Sequence, residues 1–501
     1  MTRRKNAVKK KSETKKKTAK RSAKDVVAKA PATVVFGRAY EGAGKGKRVQ
    51  NWRTPSTSVN AENLPALSTL RDRSRDLIRN NGYAAKAIAE LVGNTIGTGI
   101  IAKISSPRAG AEKALRAAWE SWAETTEIDA DGLHDFYGLQ ALMARAMFEG
   151  GEVLIRRRWR NFSDGLSVPM QIQILESDYL DTTKNEELDD GGFIIQGVEF
   201  DRLGRRRAYW LFPNHPGDTT RFKRQASIRI SGTEIIPLFE VLRPGQVRGI
   251  PRAAPVIIKM RDFDEAQDAA LVSQKIASCF TAFVTKPLDA ADEDGPDDGL
   301  PEKVEPGLLW ELLPGQDVRF SQPPPFAGYK DFSQITLRSI AAGMRVPYEI
   351  LAGDFSNVNF SSGRMSWIGF HRDVEMFRWI TFIPRVCQGV FRWFLEAGAL
   401  TGIEISGASS NWTPPRREMI DPIKEIQALR DAVRAGFMSL SEAIRQLGYE
   451  PREVLNEMAA DFKLLDELGI VVDSDPRKVT KSGMIQPKAS ESADGENVDA
   501  E

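Results

Sequence analysis

The sequence predicts an α+β protein organised around a short helix, a polar loop and a long second helix. Three patterns predict it. Apolar residues recur at helical spacing through 64–96, 253–280 and 365–397. Between 153 and 212 the period changes to two, with Met170, Ile172 and Ile174 alternating with Gln171 and Gln173. From 329 to 396 one helical face (Leu337, Ile340, Ala341, Met344) leads through a Gly/Ser/Asn/Asp stretch into a second (Trp367, Phe370, Val374, Phe377, then Val386, Val390, Trp393, Phe394). Pro347 is expected to end the first helix, because its ring removes an amide and biases Val346 away from helical angles. The loop is expected over 352–363, where no apolar period survives. The second helix would run roughly 50 Å at ~1.5 Å per residue and bend near Pro384.

At 501 residues the chain is long enough for two or three domains, and 41% hydrophobic with 28% charged residues fits a soluble protein. No apolar run of membrane-spanning length or secretion h-region is legible, so folding in a cytoplasm is expected. Cys279 and Cys387 lie far apart in apolar helical patterns and read as buried thiols, with no CxxC metal site. The net charge of +2 conceals an asymmetry between a Lys/Arg-crowded N-terminus and an acidic C-terminus.

Taken in order, residues 1–33 read as a basic disordered arm, able to touch nucleic acid or to serve as a solvated tail. Gly37 and Gly42 have the gap of a phosphate-binding loop, but Ala43 stands where its lysine must be, so no such loop forms. A single amphipathic helix is expected over 64–96, stopped at Gly97 and Gly99. Its arginines, Arg71, Arg73, Arg75 and Arg79, read either as an ordinary charged face or as groups reaching phosphate or a neighbouring subunit. Helices over 112–125 and 139–149 precede the strands, and Arg202-Leu203-Gly204-Arg205 marks a hairpin. The helix over 253–280 should place Ile257, Met260, Phe263 and Leu271 on one apolar side, and 286–306 is a Pro/Asp/Gly-rich excursion. Asp421 before Pro422 is a helix N-cap, opening the last helices over 423–434, 440–447 and 451–468. A metal or hydrolase site would have to come from Glu176, Asp178, Asp181 and His215. With three histidines at no ligand spacing, roles in turns and at strand ends are expected instead, and no metal, cofactor or catalytic residue.

Val346-Pro347-Tyr348-Glu349, Leu351, Gly353-Asp354, Asn359, Ser361-Ser362 and Arg364 resemble the core motif of tailed-phage portal proteins of the lambda type. Other segments resemble that family in unbroken order: Tyr40-Glu41-Gly42-Ala43, Leu70-Arg71-Asp72-Arg73-Ser74-Arg75, Gly97-Thr98-Gly99-Ile100, Leu175-Glu176-Ser177-Asp178, Arg243-Pro244-Gly245-Gln246 and Trp412-Thr413-Pro414-Pro415-Arg416.

The resemblance implies a ring, typically of twelve subunits, at the unique capsid vertex, with an α+β wing (34–250), a first stem helix (251–281) and a clip (282–328). A second stem helix (329–347), a tunnel loop (348–363), a long kinked helix (364–400), crown helices (401–470) and a disordered acidic tail (471–501) complete it. Double-stranded DNA would pass the tunnel-loop residues Asp354, Phe355, Ser356, Asn357, Asn359, Phe360, Ser361 and Ser362, which include no Lys or Arg. The implied partners are further copies of the chain, DNA without regard to sequence, the terminase large subunit, major capsid and scaffold proteins, and head-completion or adaptor proteins. The implied location is the virion, after assembly in the host cytoplasm, away from membranes. Two other readings are an enzyme acting on nucleic acid, which would need convergent carboxylates or an intact phosphate loop, and a head scaffold without a bore.

Overall fold

Asn81 divides the stretch read as one helix. In the computed structural model, which describes residues 54–218, 226–278, 282–285, 309–312, 328–415, 419, 421–472, 475 and 477, α1 (Val59–Asn63) and α2 (Leu67–Asn80) are followed by α3 (Gly82–Thr95). Asn81 is extended (φ −109°, ψ 121°), and its side chain accepts the Ala84 amide at 3.0 Å. That bond makes it the N-cap of α3, an alternative to helix that a Leu or Lys there would not offer. The Asn81-Gly82 pair was the sequence signal for the break.

The chain divides into two units, Met1–Ser58 and Val59–Glu501. Of the first, residues 54–58 are described; they are exposed and have no regular secondary structure. The basic arm, the excursion over 286–306, Cys279 and the tail from 478 lie outside the described residues.

Within the second unit β1 (Ile101–Ser105) leads to α4 (Ala109–Ala123) and α5 (Phe136–Gly150). A turn at Gly151 then enters β2 (Glu152–Trp159), which sits between β3 (Met170–Glu176) and β9 (Ile235–Phe239) in an antiparallel sheet. Ile155 faces Ile174 on one side and Ile236 on the other. Gly151 has φ +90°, and a Cβ there would lie 2.5 Å from the carbonyl carbon of Ile250, so only glycine lets the turn pass under that segment.

A second antiparallel sheet follows the order β4 (Glu186–Glu187), β5 (Phe193–Ile195), β6 (Val198–Phe200), β7 (Arg206–Leu211), β8 (Ile228–Ser231). The expected hairpin is the β6–β7 turn, where Asp201 accepts the amides of Leu203 and Arg205 through Oδ1 and Gly204 has φ +76°. Leu154, Leu175, Leu180, Val198, Tyr209 and Leu211 form a small core under this sheet.

The larger core is helical. Trp119 of α4 packs edge-on to Phe394 (centroids 5.1 Å), Phe136 (5.5 Å) and Phe391 (5.9 Å), and Trp122 donates Nε1–H to the Met170 carbonyl at 2.8 Å. The fold closes on itself far along the chain: β12 (Ser409–Thr413) pairs antiparallel with β1, Ile101 opposite Thr413.

Helix α6 (Ile257–Ser278) begins four residues later than expected, after a run of turns. Ile257, Met260 and Phe263 are buried as expected, but Leu271 is 50% exposed, because among the described side chains of α6 burial is confined to its first two turns and Ala270. Backbone strands β10 (Ala282–Thr285) and β11 (Leu309–Leu312) pair in parallel.

Helix α7 (Tyr329–Met344) buries Leu337, Ile340, Ala341 and Met344, the face the spacing predicts. Its end is not made by Pro347. Arg345 takes left-handed angles (φ 57°), the Arg345 amide reaches Ala342 O at 3.2 Å and the Val346 amide reaches Ala341 O at 3.0 Å. This pair of bonds closes the helix before the proline, and Pro347 instead caps a further short helix, α8 (Tyr348–Ala352), inside the 348–363 stretch that the resemblance assigned to the tunnel loop.

Helix α9 (Phe360–Phe377) passes into a ten-residue π-helical segment, Arg378–Cys387, and then α10 (Gln388–Leu400). The expected disturbance at Pro384 takes the form of this π segment. Widening the ladder to i→i−5 bonds, as from the Gln388 amide to Ile383 O, relieves the clash between a proline ring and the carbonyl four residues back. Cys387 is fully buried there, and desolvation pushes its thiol pKa well up. The last helices, α11 (Pro422–Arg434), α12 (Leu440–Gln446) and α13 (Pro451–Leu468), start at the caps Asp421, Ser439 and Glu450.

Candidate functional site

The candidate loop is shorter than its composition implies. Gly353 ends α8 with φ +67°, and α9 starts at Phe360, so the connection proper is 353–359. Asn359 caps α9: its Oδ1 accepts the Ser362 amide at 2.8 Å while Ser362 Oγ accepts the Asn359 amide at 3.1 Å. Ser361 and Ser362, expected in the loop, therefore occupy the first turn of α9 with Phe360. Their residue types fit a polar loop and a helix N-terminus equally, which is why composition alone misplaces the boundary.

Asp354 organises the connection. Its Oδ2 accepts the Tyr348 hydroxyl at 2.8 Å and Gln334 Nε2 at 3.3 Å, tying the loop to α8 and α7. Its Oδ1 accepts the Ser356 hydroxyl at 2.5 Å and the Ser356 amide at 3.2 Å. The Ser356 hydroxyl first, then Tyr348, stabilise the ionised form and hold the carboxyl down at about 2. Burial and the Asp354 charge raise the Tyr348 phenol in turn. Beyond this knot Phe355 is 61% exposed, and Ser356, Asn357 and Asn359 are exposed too. The edge offered to a ligand is thus polar and aromatic, with its one carboxylate spent on the loop's own geometry. Tyr348 and Gln334 were not singled out from sequence. Tyr348 lies within the quoted motif, but only the fold brings its hydroxyl to Asp354.

Cations stand behind the loop rather than on it. Lys86 Nζ lies 3.6 Å from where a Cβ on Gly353 would be, and the Arg338 guanidinium sits 5.1 Å from the Tyr348 ring centre.

The residues from which a metal site would be assembled are divided by the fold. Glu176, Asp178 and His215 approach one another, with ligand atoms within 4.8 Å. Arginines already hold the carboxylates: Arg71 and Arg75 reach Asp178 at 3.0 and 2.8 Å, and Arg75 reaches Glu176 at 3.1 Å. Burial works against the Asp178 charge, yet the two guanidiniums and His215 bring its pKa below the ordinary value. His215 is fixed through Nδ1, which accepts the Gly217 amide at 3.1 Å. Asp181 stands apart and accepts Ser227 Oγ at 2.6 Å. Arg71 and Arg75, for which the sequence left open an ordinary charged face or a reach to phosphate or a neighbouring subunit, instead turn inward and join α2 to the strand side of the fold. Arg71 is only 6% exposed.

The family description "Phage portal protein, lambda family" matches residues 45–378. The chain belongs to the lambda family of phage portal proteins. The family is structural rather than enzymatic, which answers the nuclease reading. The chain is 26% identical to the probable portal protein of Halomonas phage phiHAP-1, over 86% of this chain and 88% of that one. It is 24% identical to the portal protein of Escherichia phage N15, over 84% and 88% respectively. To portal protein B of Escherichia phage lambda it is 23% identical, over 90% and 94%. Among solved structures, a chain in the neck of a native gene transfer agent particle, computed with C12 symmetry, aligns with TM-score 0.42 and 14% identity over 75% of this chain and 94% of that one. The motif at 346–364 falls within the matched residues, so the loop fixed by Asp354 is part of the portal domain. No described helix is long and apolar enough to cross a membrane.

Proposed function

We propose that copies of this chain close into a ring of twelve at one capsid vertex, and that double-stranded DNA enters and leaves through its bore. The family match over 45–378 carries this reading. In the ring, α6 and α7 serve as stem helices, 282–328 as the clip, 34–250 as the wing and 401–470 as the crown. The clip is the docking site for the terminase large subunit and later for head-completion and adaptor proteins. Capsid and scaffold proteins surround the wing.

The loop at Gly353–Asn359, with the first turn of α9, is the segment that meets the duplex. A duplex in transit must not be held by base-reading contacts, and attraction to its phosphates must stay weak, since every such bond has to break at each step. A loop whose carboxylate is engaged by Tyr348 and Ser356, and which exposes Phe355, Ser356 and Asn357 with no cation, meets that condition. Negative-stain images of the purified chain test the ring, with monomers or solid aggregates counting against it. Removing Phe355 to Val358 should leave rings intact and reduce packaged genome. Undiminished packaging in that deletion rules out the tunnel role.

A further inference from the structure

Helix α9 and the π segment after it are apolar on two opposite sides, and the fold covers one of them. Phe370, Val374 and Phe377 face the core, each no more than 6% exposed. On the other side Met365 (73% exposed) and Ile368 (44%), then Met376 (55%) and the adjacent pair Trp379 (53%) and Ile380 (66%), lie at three- and four-residue steps with Arg372 between Ile368 and Met376. An apolar stripe left in water on a helix whose other apolar side is already in the core marks a surface for a partner to cover. The uncovered stripe leaves on the order of 500 Å² of apolar surface, as large as the biggest patches a monomer tolerates and most of the ~800 Å² that one side of a standard interface buries.

The stripe borders a groove of about 970 Å³ between α9 and the pair α11–α12, with Ile368 and Trp379 on its lining, so the chain's own C-terminal helices stop short of it. Arg372 is exposed at its middle, and among the described residues its guanidinium takes part in no ion pair or hydrogen bond. A partner that covers this stripe must bring apolar side chains and a carboxylate.

The same chain carries such a surface elsewhere. Helix α13 buries only Pro451. Glu457, Asp461, Leu464 and Leu468 recur on it at i, i+4, i+7 and i+11, all exposed, with Leu464 at 53% and Leu468 at 62%. Neither Glu457 nor Asp461 is in an ion pair among the described residues. A stripe meeting its own copy across a two-fold axis would set Arg372 against Arg372. Meeting α13 of another copy pairs opposite charges and joins two different surfaces, the head-to-tail kind of contact that closes into a ring.

We propose that the Met365–Ile380 stripe of one subunit packs on the Glu457–Leu468 stripe of the next, with Arg372 between Glu457 and Asp461. This rests on the ring reading and names the contact that holds the ring. The test is native mass spectrometry, with negative-stain imaging, of the full chain at micromolar concentration. I368D/M376D and R372E should each lower the ring fraction at least tenfold with an unchanged circular dichroism spectrum, because every altered side chain is exposed in the monomer. R372E/E457K/D461K should restore rings. Wild-type ring fractions in both I368D/M376D and R372E would overturn the proposal and assign the stripe to some other partner. Loss of rings that the triple variant fails to recover would overturn the pairing with α13. A wild-type chain that forms no ring would instead sink the ring reading itself.

Discussion

The hydroxyl of Tyr348 donates to Asp354 across 2.8 Å, and through this bond the short helix α8 holds the loop that follows it. Three more donors converge on the same carboxylate, from Ser356 Oγ, Ser356 N and Gln334 Nε2. A loop of Gly, Ser and Asn is thereby given one conformation.

The knot should depend on pH in a defined direction. Asp354 titrates at about 2 in the folded chain, below its ordinary 3.8, so the folded state favours the ionised form. Its contribution is complete above about pH 4 and is lost as pH falls through 2. Asn at this position should abolish that dependence. Hydrogen exchange of the Ser356 amide should quicken several-fold in D354N and Y348F at neutral pH, and in the wild type only below pH 4. Equal protection in all three at pH 7 would contradict the assignment.

Arg378 closes α3 from a segment distant in sequence. Its Nε donates to Thr95 O and its Nη2 to Asn94 O, both at 2.6 Å, where the helix has carbonyls without amide partners. The side chain is 8% exposed. R378M, which keeps much of the aliphatic stem, should cost about 1.5–3 kcal/mol in urea unfolding, the range for hydrogen bonds made by a charged group. R378K should recover part of it, since one ammonium cannot span both carbonyls as the planar fork does. A cost below ~0.5 kcal/mol for R378M would show that the cap is idle.

Trp119 is the hinge of the aromatic core, 3% exposed and within 6.1 Å (ring centres) of Phe136, Phe391, Phe394, Trp122 and Trp412. Replacing it with alanine removes edge-to-face partners from three segments distant in sequence. The expected loss is about 3–5 kcal/mol by chemical denaturation. W119F should cost less than half of that. An alanine variant as stable as W119F would mean that the site collapses around the gap.

Much of the helical framework was readable because helical burial leaves a periodic trace. Leu337, Ile340, Ala341 and Met344 of α7 are buried as spaced, Asp421 caps α11, and α13 spans 451–468 as its pattern indicates. Boundaries were less legible where one residue type serves two purposes. Asn81 suits a helix as poorly as a turn suits it well, and Ser361 and Ser362 suit a loop and a helix start alike. Arg345 carried no signal at all, since a left-handed arginine is favoured only by the bonds that Ala341 and Ala342 receive around it.

Order and spacing gave rise to the α+β class and the helix–loop–helix centre, and the resemblance of short motifs to the family, all of which depend on residues close together in the chain. Tertiary structure decided which carboxylates face arginine, which hydroxyl fixes Asp354, and which side of α9 remains bare. Those outcomes depend on contacts between residues far apart, as when β1 meets β12 or Arg378 meets Thr95. Local periodicity records whether a side chain is buried, but not against what; that partner is set only when the chain has closed on itself.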